Sequence, residues 1–236
     1  RTLDYVRAHI GHLGITTPVV TTQGAVIGDP FCGEVLHETH MPLESASQVA
    51  AWIDETAPIS VFYFGDVDGR TRIVQNRSGP DPDFYNHVFG VPRTMVASFS
   101  TLLDKQGAQP PIKFIAINDP EKEFDIAPEL TARFEDQLSI TRTHPWLVEG
   151  TALGIDKGSG LRSLCALLGI DPQRTLAIGD NDNDIPMIQA AGFGVAMGNA
   201  NQNLKAVADW IAPPIEEDGA AVALERWVRG QDDAAE

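Results

Sequence analysis

The chain has 236 residues, of which 43% are apolar, and its formal net charge is −16. This apolar content can form a sizeable core, in one large domain or two smaller ones. The acidic surface disfavours nucleic acid and anionic membranes as partners, and no run of about 18 uncharged apolar residues predicts a membrane-spanning helix. We therefore expect small molecules or cations as partners.

The two cysteines, Cys32 and Cys165, lie far apart in apolar surroundings. We interpret them as small buried hydrophobic residues rather than as a disulfide pair. Free thiols are typical of a reducing compartment, so this predicts a cytoplasmic location.

The N-terminal region contains a predicted helix followed by two short strands. Residues 1–14 carry apolar side chains at helical spacing and end at a glycine. Apolar runs at 18–22 and 25–27, separated by a Gln-Gly turn, predict the strands.

The middle of the chain has a mixed pattern. A strand is predicted at 34–39 and a helix at 43–53. Two β-rich runs at 59–64 and 71–76 surround a Gly/Asp turn, which predicts a hairpin. Further along, the pattern predicts a helix at 100–104, a strand at 112–117, a helix with Leu130, Phe134 and Leu138 on one face, and strands within 139–148.

After Gly150 the chain alternates regularly between helix and strand. Predicted in order are a helix at 161–168, a strand at 175–178, a helix at 185–191, a strand at 193–197 and a helix carrying Leu204. This alternation favours a parallel sheet with helices on both faces.

The pattern predicts two domains. Residues 1–38 and 147–236 would form one discontinuous α/β domain, and residues 39–146 would form an insertion in it. Ligands of open α/β sheets bind at the carboxyl ends of the strands, so an insertion over that edge would act as a lid.

The strongest chemical signal is Gly179-Asp180-Asn181-Asp182-Asn183-Asp184, which follows a predicted strand and precedes a helix. Carboxylates gathered at such an edge repel each other unless a cation joins them, and Mg²⁺ prefers oxygen ligands. A polar helix cap is an open alternative. A calcium loop is disfavoured, because its glycine and glutamate positions hold Ile185 and Ala191.

A second signal is Lys157, at the predicted start of a helix. The helix dipole disfavours a cation at this end, so a lysine here indicates an anion nearby. An exposed lysine without a ligand is the open alternative.

Together these segments resemble a known family. Lys157-Gly158-Ser159, Gly179–Asp184 and Gly194–Ala200 resemble the last two catalytic motifs and the trailing strand of Cof-type (subfamily IIB) phosphatases of the haloacid dehalogenase-like superfamily. Glu216–Gly219 resembles the family's closing stretch, and Thr22–Ala25 resembles a family turn, with glutamine where asparagine is preferred.

The resemblance implies a fold and a mechanism. The fold would be a Rossmann-like core with a parallel sheet in three αβα layers, into which an α+β cap of type IIB is inserted. The family hydrolyses phosphate esters with Mg²⁺ and an aspartate nucleophile, through an aspartyl-phosphate.

The resemblance also implies roles for four residues of the second half. Asp180 would coordinate Mg²⁺, and Asp184 would support the metal or its waters. Asn183 would hydrogen-bond the phosphoryl group. Lys157 would offset the negative charge of nucleophile and phosphate.

In the first half, Arg1 would be the last residue of the family's Thr-Gly-Arg phosphate-binding motif, and Gln23 would contribute to phosphate binding from its turn. The nucleophile motif Asp-x-Asp-Gly-Thr does not precede the first helix. We interpret this as truncation and expect the chain as given to be inactive. A similar run, Asp66–Gly69, is followed by Arg70 in place of threonine, and we interpret it as a hairpin turn.

These patterns predict Mg²⁺-dependent hydrolysis of a small phosphate monoester, such as a sugar phosphate or a related metabolite. Two alternatives stay open. One is a non-catalytic metabolite-binding protein on the same fold, and the other is a phosphomutase or phosphotransferase.

Overall fold

The computed structural model describes residues 1–67, 70–90, 92–117 and 125–228. The chain divides into two compact units, the first from Arg1 to Ile155 and the second beginning at Asp156.

The first unit is built mainly from strands. Its elements are α1 (Leu3–Ile10), β1 (Val19–Thr21), β2 (Val26–Gly28), β3 (Val35–Glu38), α2 (Leu43–Thr56), β4 (Ser60–Val67), β5 (Arg70–Gln75), α3 (Pro82–Phe89), β6 (Arg93–Met95), α4 (Phe99–Leu103), β7 (Pro111–Ile117), α5 (Ile126–Phe134), β8 (Leu138–His144) and β9 (Leu147–Ala152). Strands β1, β2 and β3 form a small antiparallel sheet. The two short strands predicted on either side of the Gln-Gly turn are β1 and β2, which pair with each other in this sheet.

The larger sheet has the order β6-β5-β4-β7-β9-β8 and is antiparallel except for the β5–β6 pair. Alternate residues of its strands face opposite sides. One face packs against α2, α4 and α5, with Trp52, Phe99 and Phe134 buried on Phe62 and Phe114. The other face packs against α3.

Strand β9 begins directly after the residue where the predicted insertion was expected to end. It pairs with β7 and β8, so residues 147–152 share a sheet with strands of the predicted insertion. The division into a discontinuous domain of residues 1–38 and 147–236 and an insertion of 39–146 stays a prediction.

The second unit is a three-layer α/β structure. Its elements are α6 (Lys157–Leu168), β10 (Leu176–Gly179), α7 (Ile185–Ala190), β11 (Phe193–Ala196), α8 (Gln202–Val207), β12 (Trp210–Ile211) and α9 (Gly219–Val228). Strands β10, β11 and β12 are parallel. On one face Ala196 packs with Ile188 of α7 and Leu204 of α8. On the other face Val195 packs with Ala223 of α9. The predicted α/β class is confirmed.

Several elements differ from the sequence-based expectations. Helices α3 and α9 and strands β6 and β12 were not predicted. Leu138 begins β8 and does not continue a helix, because α5 ends at Phe134. Strands as short as β6 and β12 form because they pair with segments distant in sequence, and local patterns of residues do not predict such pairing. Of the run Asp66–Gly69, residues 68 and 69 lie outside the described residues, while β4 and β5 on either side form the predicted hairpin.

Both cysteines have free thiols. Cys165 is buried as expected, whereas Cys32 is exposed, so its predicted burial was wrong. Among the described residues, each helix is too short or too polar to cross a bilayer.

Candidate functional site

The acidic loop begins where β10 ends. Residues 182–184 form one 3-10 turn after Asp180 and Asn181, and α7 follows directly. The close approach of Asp184 to the end of β10 requires a glycine at position 179, because a Cβ atom there would lie 2.5 Å from the Cβ of Asp184. The strand therefore delivers the loop to the carboxyl edge of the parallel sheet, where ligands of such sheets bind.

Asp184 is the buried centre of the loop, with 5% of its surface exposed. Its Oδ2 atom accepts hydrogen bonds from the backbone amides of Asp180 (3.0 Å) and Asn181 (3.2 Å). Its Oδ1 atom accepts a hydrogen bond from the Lys157 ammonium at 2.5 Å. The buried carboxylate thus has donors on both oxygens, as a buried charge requires.

Lys157 reaches Asp184 because of the way α6 starts. The helix is capped by Asp156, whose carboxylate accepts the Ser159 amide at 2.7 Å, while the Ser159 hydroxyl accepts the Asp156 amide at 2.9 Å. A Cβ atom on Gly158 would overlap the carbonyl of Pro186, so a glycine is needed for α6 and α7 to approach this closely. The ammonium side chain remains 31% exposed.

A network of asparagine side chains supports the loop from the next strand. The Asn201 amide group donates to Asn181 Oδ1 (3.0 Å) and to Asp182 Oδ1 (2.9 Å). Asn203 also donates to Asp182, at 3.1 Å. Neither Asn201 nor Asn203 stands out in the sequence as part of the acidic site. Their position after β11 was the available signal, because neighbouring parallel strands end at the same edge.

The helix-cap interpretation of the loop describes part of it. Asn181 caps the 3-10 turn, with its side chain accepting the Asp182 amide at 2.9 Å, and Asp184 completes a capping box. Asp180 does not act as a cap. Its backbone amide donates to Asp184, its carbonyl accepts the Asn201 amide at 3.1 Å, and the residue is exposed to solvent. Capping therefore occupies Asp184 and leaves the Asp180 carboxylate at the surface.

The chemistry of these donors suits magnesium. Asp180, Asn183 and Asp184 supply carboxylate and amide oxygens within one five-residue stretch. Within the described ranges, no three His, Cys, Asp or Glu side chains are gathered closely enough to form a metal cage. Mg²⁺ is commonly held by one or two carboxylates, with waters and substrate phosphate completing the shell, so this donor set fits the ion.

Arg1 and Gln23 lie in the first unit. The Arg1 guanidinium donates to the carbonyl of His87 at 2.5 Å and stacks over the Tyr5 ring at 4.9 Å. The Arg1 carbonyl accepts the Thr22 amide at 2.8 Å, which ties it to the turn that contains Gln23. Gln23 has φ 57° and ψ 32°, a left-handed conformation. The phosphate-binding roles of both residues stay predictions.

Comparison with known proteins identifies related sequences. A family model described as haloacid dehalogenase-like hydrolase matches residues 1–224. The 5-amino-6-(5-phospho-D-ribitylamino)uracil phosphatase YcsE of Bacillus subtilis is 41% identical over 112 residues, which are 48% of this chain and 44% of that protein. The match thus spans less than half the length of this curated relative.

Two solved structures share the fold over nearly the whole chain. A haloacid dehalogenase-like hydrolase from Bacteroides thetaiotaomicron has a TM-score of 0.75 and 27% identity, and the match covers 95% of this chain and 81% of that one. A subclass IIB sugar phosphatase of the same superfamily has a TM-score of 0.76 and 25% identity, with 94% and 79% covered.

Proposed function

The chain belongs to the haloacid dehalogenase-like hydrolase family, and we propose that it acts as a magnesium-dependent phosphatase for small phosphate monoesters. The observation that carries this proposal is the pairing of Lys157 with Asp184 beside the exposed Asp180, at the carboxyl edge of a parallel sheet. This edge combines a cation for an anionic substrate with oxygen ligands for a metal.

Each residue would have a separate task. Asp180 would hold the ion, Asp184 would support the ion or its waters, and Asn183 would donate its amide to a phosphoryl oxygen. Lys157, oriented by Asp184, would neutralise negative charge on the transferred group. Magnesium supplies further neutralisation when bound. Phosphoryl transfer depends mostly on positioning and on charge neutralisation, so a site of this composition suits the reaction.

Two observations support the substrate class. Two of the proteins reported above are named as a 5-amino-6-(5-phospho-D-ribitylamino)uracil phosphatase and as a sugar phosphatase, and both names refer to small phosphate esters. The chain's charge of −16 disfavours polyanionic substrates such as nucleic acid. We also propose a cytoplasmic location, since both cysteines are free thiols.

The test uses the full gene product that contains this chain. Phosphate release would be measured with p-nitrophenyl phosphate, sugar phosphates, nucleotides and pyridoxal phosphate, with Mg²⁺ or with EDTA. Asp180→Asn should lower Mg²⁺-dependent turnover by about 100-fold or more. Asp182→Asn is the matched control, because it removes a charge from the same loop but keeps an oxygen that accepts from Asn201 and Asn203. Calorimetric titration with Mg²⁺ alone should show weaker binding to Asp180→Asn only.

Three outcomes would contradict the proposal in different ways. Unchanged turnover in Asp180→Asn would remove the metal assignment. Phosphate transfer that requires a second sugar as acceptor would indicate a phosphomutase. Metabolite binding with no turnover of any ester in the screen would indicate a non-catalytic binding protein.

A further inference from the structure

The first unit contains a small cavity that is lined by none of the residues assigned above. It lies between α1 and the strands β2, β3, β5 and β7, and its apolar walls include Leu3, Val26 and Ile112. Its volume is about 10 Å³, measured as the space open to the centre of a water-sized sphere. This is about the least space that one water molecule requires. The cavity is therefore of the size of a single water molecule.

Asp4 has a buried carboxylate oxygen at this cavity. The residue lines the cavity, its Oδ1 atom is inaccessible to solvent, and among the described residues no group donates a hydrogen bond to that atom. Asp4 also forms no ion pair within the described part of the chain. A buried acceptor without a donor has lost its hydration with nothing in return, and the loss is larger for a charged group. A hydrogen-bond donor is therefore needed at Oδ1.

The basic residue that lines the cavity, Arg7, has its donors directed elsewhere. Its guanidinium donates to the carbonyls of Pro30 at 3.3 Å and Phe31 at 3.2 Å. The same group lies against Gly33, where a Cβ atom would come within 2.3 Å of the Nη1 atom of Arg7. These contacts hold the guanidinium on the loop between β2 and β3, so it does not supply the missing donor to Asp4.

Two further polar side chains line the cavity. The Oε1 atom of Glu38 lies 2.5 Å from the Nε2 atom of His40. This oxygen also packs on Gly65, where a Cβ atom would lie 2.2 Å from it, so the position of the carboxylate is fixed. The hydroxyl of Thr71 is the other group, and within the described ranges it forms no hydrogen bond. One carboxylate and one hydroxyl thus accompany Asp4 around the cavity.

From this arrangement we propose that the cavity binds one internal water molecule, which donates to Asp4 and Glu38 and accepts from the Thr71 hydroxyl. Internal waters make about three hydrogen bonds to groups that otherwise lack partners, which is the number available here, whereas empty cavities are lined by apolar groups. A metal ion fits less well. Calcium takes roughly 6–8 oxygen ligands, while this cavity has three oxygen-bearing side chains and a guanidinium in its wall.

The water connects parts of the first unit that belong to different elements. Asp4 lies in the first turn of α1, Glu38 is the last residue of β3, and Thr71 is in β5. Strand β3 belongs to the small sheet and β5 to the large one, so the three hydrogen bonds join α1 to both sheets. The site shares no residue with the acidic loop and does not depend on the proposed function.

The first test detects the water in the full gene product that contains this chain. Val26 and Ile112 line the cavity and are 5% and 1% exposed, so a nuclear Overhauser signal between water and their methyl protons requires water inside. Thr71→Val keeps the size of the side chain and removes the only hydroxyl among the described residues that line the cavity. The signals should persist in this variant, because their source is the water and not an exchanging hydroxyl proton.

The second test counts the water molecules that stay bound longer than the protein takes to tumble, by oxygen-17 magnetic relaxation dispersion. Asp4→Leu should lower the count by one, and Asp4→Asn should leave it unchanged, since the amide oxygen still accepts. Asp83→Leu is the matched control: Asp83 is also the second residue of an eight-residue helix, but it is exposed and does not line the cavity. Val35→Ile adds a methylene group to the wall and should displace the water by volume alone, which keeps the test decisive if Asp4→Leu does not fold.

Four results would overturn the proposal. The first is the absence of water signals at the methyl groups of Val26 and Ile112 in the unaltered protein. The second is their loss in Thr71→Val with an unchanged water count, which would assign them to the hydroxyl. The third is an equal count in the unaltered protein and in folded Asp4→Leu and Val35→Ile. The fourth is a saturable shift of these methyl signals with sodium or potassium chloride but not with choline chloride, which would place a metal ion in the cavity.

Discussion

The Nζ atom of Lys157 lies 2.5 Å from the Oδ1 atom of Asp184, although 27 residues separate them along the chain. The lysine opens α6, and the carboxylate closes the turn before α7. The pair joins the starts of two helices at the edge of the sheet and holds a cation beside the acidic loop.

Replacing Lys157 should lower catalytic activity much more than stability. In Lys157→Met, kcat/KM for phosphate esters should fall by about 100-fold or more, because the ammonium group no longer helps to neutralise the transferred phosphate. Asp184 keeps two backbone donors, so the free energy of unfolding should fall by only about 1–3 kcal/mol. Steady-state kinetics and urea unfolding measure the two effects. Arg162→Met is the control. It removes an exposed cation from the same helix and should change neither kcat/KM nor the free energy of unfolding. Normal turnover in Lys157→Met would contradict the proposed role of Lys157.

Gly179 should not tolerate a side chain. In Gly179→Ala, the new Cβ would lie 2.5 Å from the Asp184 Cβ and 2.8 Å from its Cγ. We expect a loss of about 1–3 kcal/mol in the free energy of unfolding, as for other overpacked sites, together with a loss of turnover as Asp184 moves. Gly11→Ala is the control, because Gly11 has φ −56° and open space around it. It should be neutral or slightly stabilising. An alanine at 179 with unaltered stability in urea unfolding would show that the loop is not tightly packed.

A buried ion pair lies within the large sheet. Lys113 Nζ donates to Glu149 Oε2 at 2.6 Å, and the Thr143 hydroxyl donates to the other oxygen at 2.7 Å. Both charged side chains are less than 10% exposed. Burial alone would raise the pKa of the Glu149 carboxyl, but the Lys113 ammonium and the two hydrogen bonds together hold it below its usual value of 4.5.

This pair should make stability depend on pH in a defined direction. Because the folded pKa of Glu149 is lowered, its contribution is present above pH 4.5 and is lost as the pH falls through the folded pKa. Lys113→Met should cost about 3–5 kcal/mol at pH 7, since it leaves a buried charge unpaired. The double variant Lys113→Met with Glu149→Leu should recover most of that loss.

Urea unfolding between pH 3 and pH 7 measures this prediction. The double variant should show a weaker fall in stability below pH 4.5 than the unaltered chain. Asp125→Asn is the control, because Asp125 forms an ion pair with Arg142 at the surface, where such pairs contribute about 0–1 kcal/mol. Identical pH profiles for the double variant and the unaltered chain would show that Glu149 does not titrate as argued.

Gln23 occupies a conformation that suits asparagine better. Its φ of 57° is left-handed, and Thr22 before it has φ 54°. Asparagine tolerates this region more readily than glutamine, while a β-branched residue is strained there. Gln23→Asn should therefore raise the free energy of unfolding by roughly 0.5 kcal/mol, and Gln23→Val should lower it by about 1–3 kcal/mol.

The control for this prediction should change in the opposite direction. Gln48 is exposed within α2, where asparagine has lower helix propensity, so Gln48→Asn should be slightly destabilising. If Gln23→Asn were as destabilising as Gln48→Asn in thermal unfolding, the left-handed backbone at residue 23 would not favour asparagine, and the prediction would be wrong.

Much of the second unit could be predicted from the sequence. Apolar periodicity located α6, β10, α7 and β11 to within a few residues, and the acidic loop and Lys157 stood out as short motifs. Elements that depend on distant partners were missed or misassigned. Leu138 fits a helical pattern, yet it pairs with Ala152 in a strand. The three residues of β6 have too little local pattern to be recognised and are strands because β5 lies beside them.

The sequence by itself determined the α/β class, the family resemblance and the composition of the acidic loop, because these depend on residues close together along the chain. Only the tertiary structure decided that Lys157 meets Asp184, that Glu149 is buried with Lys113 and that Arg72 lies over Phe64. Each of these contacts joins separate elements, so it depends on strand register and helix packing. Both are set by the summed free energy of many distant contacts, which no local pattern of residues encodes.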